Sequence, residues 1–228
     1  MIATLDRLIE RFAGLRLLVI GEAMLDCYLY GATDRLCREA PVPIVDVGRR
    51  VEVPGGAANT AVNACALGAM VTLLSVIGGD ADGATLRRTL AGHGVAGTAL
   101  LEDSSRHTLA KQRLVAGGHM LVRFDQGSTG PLAPVSERAL GARLRELLPT
   151  HEAVLVSDYG YGILSPRIIA LLAEAQAHSP RVIVVDSKTL SAYRAIGATA
   201  VKPNFGEAPS RASASPKFGF TAVAPTER

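Results

Sequence analysis

Residues 54–68 read Pro-Gly-Gly-Ala-Ala-Asn-Thr-Ala-Val-Asn-Ala-Cys-Ala-Leu-Gly, and the reading of this stretch decides the fold. Gly55 and Gly56 permit backbone conformations that a β-carbon forbids, and they let another group come close to the main chain. The run of Ala, Val, Cys and Leu that follows predicts a helix of small side chains, packed closely on its neighbours and stopped by Gly68. Asn59 falls in its first turn and Asn63 four residues on, so both leave the same face. Free N–H groups at a helix start, behind a glycine pair, form a site for a polar or anionic ligand. From these residues alone two readings stand: a ligand-binding turn, or a tight turn feeding a buried helix with Asn59 satisfying the backbone.

Working outward, the 228 residues suffice for one α/β domain with a full core, and 48% hydrophobic with 20% charged is an ordinary globular balance. A net charge of +3, without aromatic and basic residues interleaved, gives no support to a nucleic-acid partner. No apolar run has the length to cross a bilayer. Cys27, Cys37 and Cys65 are widely spaced with no C-x-x-C pair, which predicts reduced thiols and a cytoplasmic protein. The five histidines are scattered, and there is no H-E-x-x-H, no G-x-x-x-x-G-K-[ST] and no G-x-G-x-x-G after the first strand. Zinc hydrolysis, a P-loop and a dinucleotide fold are therefore unsupported.

Strand and helix alternate along the chain. Leu15–Gly21 is a short apolar run ending in Gly, a buried strand, with Glu22 and Asp26 just past its end. Further strands are expected at Val71–Ile77, Ala153–Ser157, Arg181–Asp186 and Ala198–Val201. Helices are expected at Ala81–His93 with Asp80 as N-cap, at Ser136–Leu148, and after Ser165-Pro166. This order predicts an α/β fold: a mainly parallel sheet with helices on both faces. Two β-rich pieces interrupt it, at about 27–53 and 108–124. The first carries Pro41 and Pro43, which suit an edge strand. The second turns at Gly117-Gly118. Together they predict a small β-sheet lid, able to cover a site or to pair with a second copy as a homodimer. The α/β domain is expected over 1–208, stopping short at its C-terminal end. The Ser-, Ala- and Pro-rich 209–228 reads as a disordered or aberrant tail.

Polar groups follow the strand ends: Asp26, Asn59 with its glycine pair, Asp158, Asp186 with Lys188, and Asn204 with Glu207. In a parallel sheet they share one edge, where such folds bind ligands. Carboxylates, amides and a lysine without a His/Cys cluster suit sugar and phosphate better than a transition metal. Asp26 has two readings, a turn cap or a holder of sugar hydroxyls. Lys111, Arg113 and Arg123 on the lid also have two, solvated surface charges or contacts to a substrate phosphate.

Pro-Gly-Gly-Ala-Ala-Asn-Thr-Ala at 54–61, the two lid pieces around it and Asn204-x-x-Glu207 make the chain resemble the ribokinase/PfkB family of carbohydrate kinases. Gly21-Glu-Ala-Met-Leu-Asp26, Glu39-Ala-Pro-Val-Pro43 and Ser157-Asp-Tyr-Gly160 look like the branch acting on D-glycero-β-D-manno-heptose 7-phosphate, often the N-terminal half of a bifunctional kinase/adenylyltransferase. The resemblance implies a ribokinase-like fold. It also implies transfer of the ATP γ-phosphoryl group to the anomeric hydroxyl, giving the 1,7-bisphosphate on the route to ADP-heptose for lipopolysaccharide. It implies that Asp26, Gly55, Gly56, Asn59 and Asp158 hold the sugar with Lys111 and Arg123 from the lid. Asn204, Glu207 and Lys188 would face the nucleotide, with Mg²⁺ at Glu207. Tyr161 stands where the branch has Lys, and Ser187 where it has Pro. The Gly-Ala-Gly-Asp loop that carries the family's catalytic base has no counterpart after Glu207. The expectation is therefore a truncated kinase with no catalytic residue of its own. The competing expectations are a non-catalytic sugar-phosphate-binding or dimerisation module, and a PfkB-type kinase for another sugar.

Overall fold

Every residue of β1 (Arg16–Gly21) after Arg16 is buried, as a strand covered on both faces of a parallel sheet must be. Its side chains alternate between two cores: Leu18 and Ile20 enter one, Leu17 and Val19 the other. β1 is flanked by β4 (Met70–Gly78) and β8 (Ala153–Asp158). The sheet continues through β5 (Leu100–Asp103) beyond β4, and through β9 (Val182–Ser187) and β10 (Ala200–Val201) beyond β8. All five pairings are parallel. This computed structural model describes residues 9–95 and 99–202.

Helices cover both faces. α1 (Ala57–Ala66) buries Ala57, Ala58, Ala61 and Ala64, and α2 (Ala81–Gly92) buries Leu86 and Leu90, in the core of Leu17 and Val19. α3 (Pro134–Leu147) and α4 (Pro166–His178) supply Leu140, Leu144, Ile168 and Leu172 to the other core. The caps follow the local sequence. The Asp80 side chain accepts the Gly83 N–H at 2.8 Å, and Ser165 accepts that of Ile168 at 3.3 Å. Pro134 and Pro166 occupy the first turns, where a missing N–H costs nothing.

The lid is a second sheet of β2 (Ala23–Leu36), β3 (Pro43–Gly56), β6 (Ala110–Ala116) and β7 (His119–Gln126), in the order β3-β2-β6-β7. β3, with Pro43 at its first position, is an edge strand as expected. Gly117 and Gly118 both have positive φ, 58° and 79°, the conformation of a tight two-residue hairpin loop. Two features differ from the sequence reading. The lid begins at Ala23, so Asp26 lies inside a strand and not in a loop past β1. Pairing from Ala23 with Gly56 to Leu36 with Pro43 carries the backbone bonds that extend it. β5 was not expected, because Leu-Leu-Glu-Asp is too short to show a period.

The chain leaves β1 first toward β4 and later returns to β8 on its other side, so the sheet order reverses around β1. The carboxyl ends of β1 and β8 bound the crevice made there. They are pressed together: a Cβ on Gly21 would come within 3.0 Å of the Ser157 carbonyl, so only glycine fits.

Candidate functional site

Asp26 sits opposite Val53 of β3 and Lys111 of β6. Its Oδ1 accepts from Arg113 Nη1 at 2.7 Å, with the two side chains 20% and 19% exposed. This is a charge-assisted pair with restricted access to water. Oδ2 lies over Gly55, where a Cβ would fall within 3.0 Å of it. Gly56 has φ 57° and would press a Cβ on the Glu22 carbonyl and Met24. Both glycines are thus required by the approach of β2. The Glu22 carbonyl accepts the Ala57 N–H at 2.9 Å, engaging one of the free donors at the start of α1. Asn59 is exposed, and its Oδ1 accepts from Asn63 Nδ2 at 3.1 Å. It faces away from the aliphatic core.

The strand period puts Lys111 and Arg113 on one face of β6, next to Asp26 and Tyr28, with Asp125 and Arg123 of β7 beyond them. Across β2, β6 and β7 that face sets Lys111, Arg113 and Arg123 against Asp26 and Asp125, and Arg49 of β3 stacks on Tyr30 beside them. The Arg113 guanidinium lies 5.0 Å from the Tyr28 ring centre. Arg123 forks onto both oxygens of Asp125 and holds that carboxyl below the usual range. Lys111 reaches across the crevice. Its Nζ stands 5.2 Å from the Tyr159 ring and 5.5 Å from the Tyr161 ring, within cation–π range of both.

Those rings belong to the loop after β8. Asp158 opens it, with Oδ1 accepting the Gly160 N–H and Oδ2 accepting from the Ser187 and Tyr193 hydroxyls, both at 2.7 Å. Burial, with Asp158 next to it, pushes the Tyr193 hydroxyl pKa well up. Oδ1 of Asp158 therefore shapes the loop after β8, and Oδ2 ties β8 to Ser187 of β9 and to Tyr193. Glu22, at the end of β1, accepts the N–H groups of Tyr159, Tyr161 and Ile163 at 2.8, 3.2 and 3.2 Å. Its burial raises the carboxyl pKa, opposed by those N–H groups and reinforced by Asp158. Buried Arg106 donates to the carbonyls of Ser128, Gly130, Pro131 and Tyr161. The sequence reading placed Glu22 at the strand end without a role and did not weigh Arg106. A carboxylate between an apolar strand and Ala-Met-Leu was the available signal.

On the far side of β8, Asp186 pairs with Lys202 at 3.2 Å, and Lys188 is exposed just past β9. Asn204 and Glu207, like the tail at 209–228, lie outside the described residues. Among the described residues no three His, Cys, Asp or Glu side chains group as metal ligands, and no helix is long and apolar enough to cross a membrane. An open hollow of about 500 Å³ at the lid hinge is lined by Asp80, Asp82, His107, Gln126 and Ser128. Asp80 is committed there to capping α2 and to the Thr108 N–H at 2.8 Å.

The chain is 41% identical over 198 residues to the D-β-D-heptose 7-phosphate kinase of Bordetella bronchiseptica, covering 87% of this chain and 62% of that one. It is 37% identical over 206 residues to the bifunctional protein HldE of Caulobacter sp. K31, covering 90% of this chain and 41% of the relative. The chain thus spans about two fifths of such bifunctional relatives. The phosphofructokinase-2 of Escherichia coli, solved with substrates and products, superposes with a TM-score of 0.67 at 24% identity, over 85% of this chain and 62% of that one. A ribokinase from Cryptococcus neoformans, solved with ADP, superposes with a TM-score of 0.58 at 22% identity, over 85% of this chain and 58% of that one. Both establish the ribokinase-like fold. The model of the pfkB family carbohydrate kinases matches residues 15–214, and the chain belongs to that family.

Proposed function

We propose that the crevice between the β1/β8 edge and the lid holds a sugar phosphate for ATP-dependent phosphorylation, with D-glycero-β-D-manno-heptose 7-phosphate as the sugar. The observation that carries this is Asp26 seated over Gly55 and paired with Arg113 on a face that also presents Lys111. A carboxylate accepts sugar hydroxyls, and neighbouring cations meet the phosphate. Gly55, Gly56 and Asn59 bound the sugar from the start of α1. Lys111 and Arg123 face it from the lid. Asp158 acts by fixing the loop beneath, since its own oxygens are engaged. The heptose assignment is supported by the 41% identity to the D-β-D-heptose 7-phosphate kinase of Bordetella bronchiseptica.

The γ-phosphoryl group comes from ATP with Mg²⁺. Lys188, exposed beyond β9, fits a phosphate contact by its charge and its place at the carboxyl edge. Asn204 and Glu207 would complete that side, with Mg²⁺ at Glu207. The proton-accepting base is assigned to no residue of this sequence, so the assignment rests on binding. Phosphoryl transfer depends on positioning and charge stabilisation, and these residues supply the sugar half of both. Calorimetric titration with heptose 7-phosphate, fructose 6-phosphate and ribose tests the reading. Tightest binding of the heptose is expected. Equal binding of ribose contradicts the heptose assignment. Binding of none contradicts the carbohydrate reading and favours a dimerisation module.

The lid also supports a homodimer. Leu29, Leu114 and Val122 lie side by side across β2, β6 and β7, and Met120 and Phe124 are exposed nearby at 60% and 40%. An apolar row on a lid is a surface that a second copy would cover. Sedimentation at twice the chain mass is the expected result.

A further inference from the structure

Glu22 follows β1 directly and is 1% exposed. A buried carboxylate persists only where hydrogen bonds meet its charge. Three do so here, and all come from one loop, at Tyr159, Tyr161 and Ile163. The donors alternate along the loop, so residues 159–163 bend around the carboxylate. Gly160 and Gly162, with φ 76° and 93°, supply the left-handed positions that the bend requires. The Tyr161 carbonyl is taken by Arg106 at 3.4 Å, which anchors the loop from its other side. The same loop carries the two rings under Lys111.

We infer that Glu22 is a positioning residue of the sugar-phosphate site. By holding the loop N–H groups it sets the Tyr159 and Tyr161 rings beneath Lys111, and so fixes where the lid's ammonium group meets the substrate phosphate. This rests on the sugar-phosphate reading above. It also predicts selectivity: disturbing Glu22 weakens binding of the phosphorylated sugar and spares that of the free sugar, whose hydroxyls are met by Asp26.

The test uses the full chain, with heptose 7-phosphate and unphosphorylated heptose as probes. Glu22→Gln keeps the side-chain shape and replaces one accepting oxygen by an amide NH₂ that opposes a donating N–H. Loss of one charge-assisted bond predicts about tenfold weaker heptose 7-phosphate binding, with free heptose changed less than about twofold. The amide resonances of Tyr159, Tyr161 and Ile163 are expected to shift in the same variant. Equal weakening for both sugars, or unchanged affinity for heptose 7-phosphate, overturns the inference. Where Glu22→Gln fails to fold, Tyr161→Ala removes a ring from under Lys111 and leaves the backbone donors in place. It must give the same selective loss, and a non-selective or absent loss overturns the inference. Wild-type protein that binds neither sugar overturns the underlying reading and the inference together. A binding wild type with a non-selective variant overturns the inference alone.

Discussion

The carboxylate of Asp26 occupies the space that a side chain at residue 55 would need, so Gly55 and Asp26 form one unit. Gly55 in β3 is bare because Asp26 in β2 leans over it while pairing with Arg113. Gly55→Ala is expected to displace the carboxylate and loosen that pair. Overpacking of this kind costs about 1–3 kcal/mol. Heptose 7-phosphate affinity should fall about tenfold where a charge-assisted contact is lost. Thermal unfolding and calorimetry check the two outcomes, and an unchanged affinity would show that the Asp26 position is immaterial.

Lys111 ties the lid to the α/β body through Tyr159 and Tyr161. A cation over an aromatic face is worth about 0.5–2 kcal/mol. Lys111→Met should therefore let the lid open more often, and amide hydrogen exchange along β6 and β7 should quicken. Exchange at the wild-type rate would mean that the rings do not restrain the lid.

Asp80 uses both oxygens, one on the Gly83 N–H and one on the Thr108 N–H, so it caps α2 and ties the lid hinge to it. Asp80→Ala is expected to cost about 1–2 kcal/mol as a lost N-cap. Burial alone would raise this carboxyl, and the Thr108 and Gly83 donors outweigh it, so its folded pKa lies below the ordinary value. A depressed folded pKa gives stability that is present above the unfolded value, about 3.9, and is lost as pH falls through the folded one. The stability gap between wild type and variant should be full at neutral pH and shrink below about pH 4. A gap that persists at low pH would contradict the role of charge.

Glu22 has the opposite sign. Burial, aided by Asp158, raises its folded pKa against the pull of three backbone donors, with the Arg106 guanidinium as the neighbouring cation. Its contribution is full below the unfolded value, about 4.3, and is lost as pH rises through the folded one. Wild type should therefore lose stability relative to Glu22→Gln as pH rises above the unfolded value of about 4.3. Denaturant unfolding at several pH values measures this, and parallel curves would contradict it.

Much of the frame was legible because it is written in local chemistry. β1 shows its burial as an unbroken apolar run, Asp80 shows its cap, and Gly117-Gly118 shows its hairpin. Pro43 marks the edge strand. What the sequence hid depends on contacts between distant segments. The glycine pair reads as an opening for a ligand, yet the space at Gly55 is taken by a carboxylate 29 residues earlier in the chain. Asp158 reads as a free group at a strand end, yet Ser187 and Tyr193 occupy it. Glu22 stands in the Gly21–Asp26 motif with no sign of its partners, Arg106 carries no motif, and only the fold brings the two to the loop at 159–163. Tyr159 and Tyr161 gain their meaning from Lys111, which approaches from the lid.

In the function proposed, the Asp26 face of the lid and the crevice below it bind a sugar phosphate. Calorimetric titration of heptose 7-phosphate into wild type and Asp26→Asn tests it most directly. Saturable one-to-one binding is predicted for wild type, weakened about tenfold or more by the substitution, as expected for a charged hydrogen-bond acceptor lost from a partly buried site. Equal affinity in the two proteins would contradict the account.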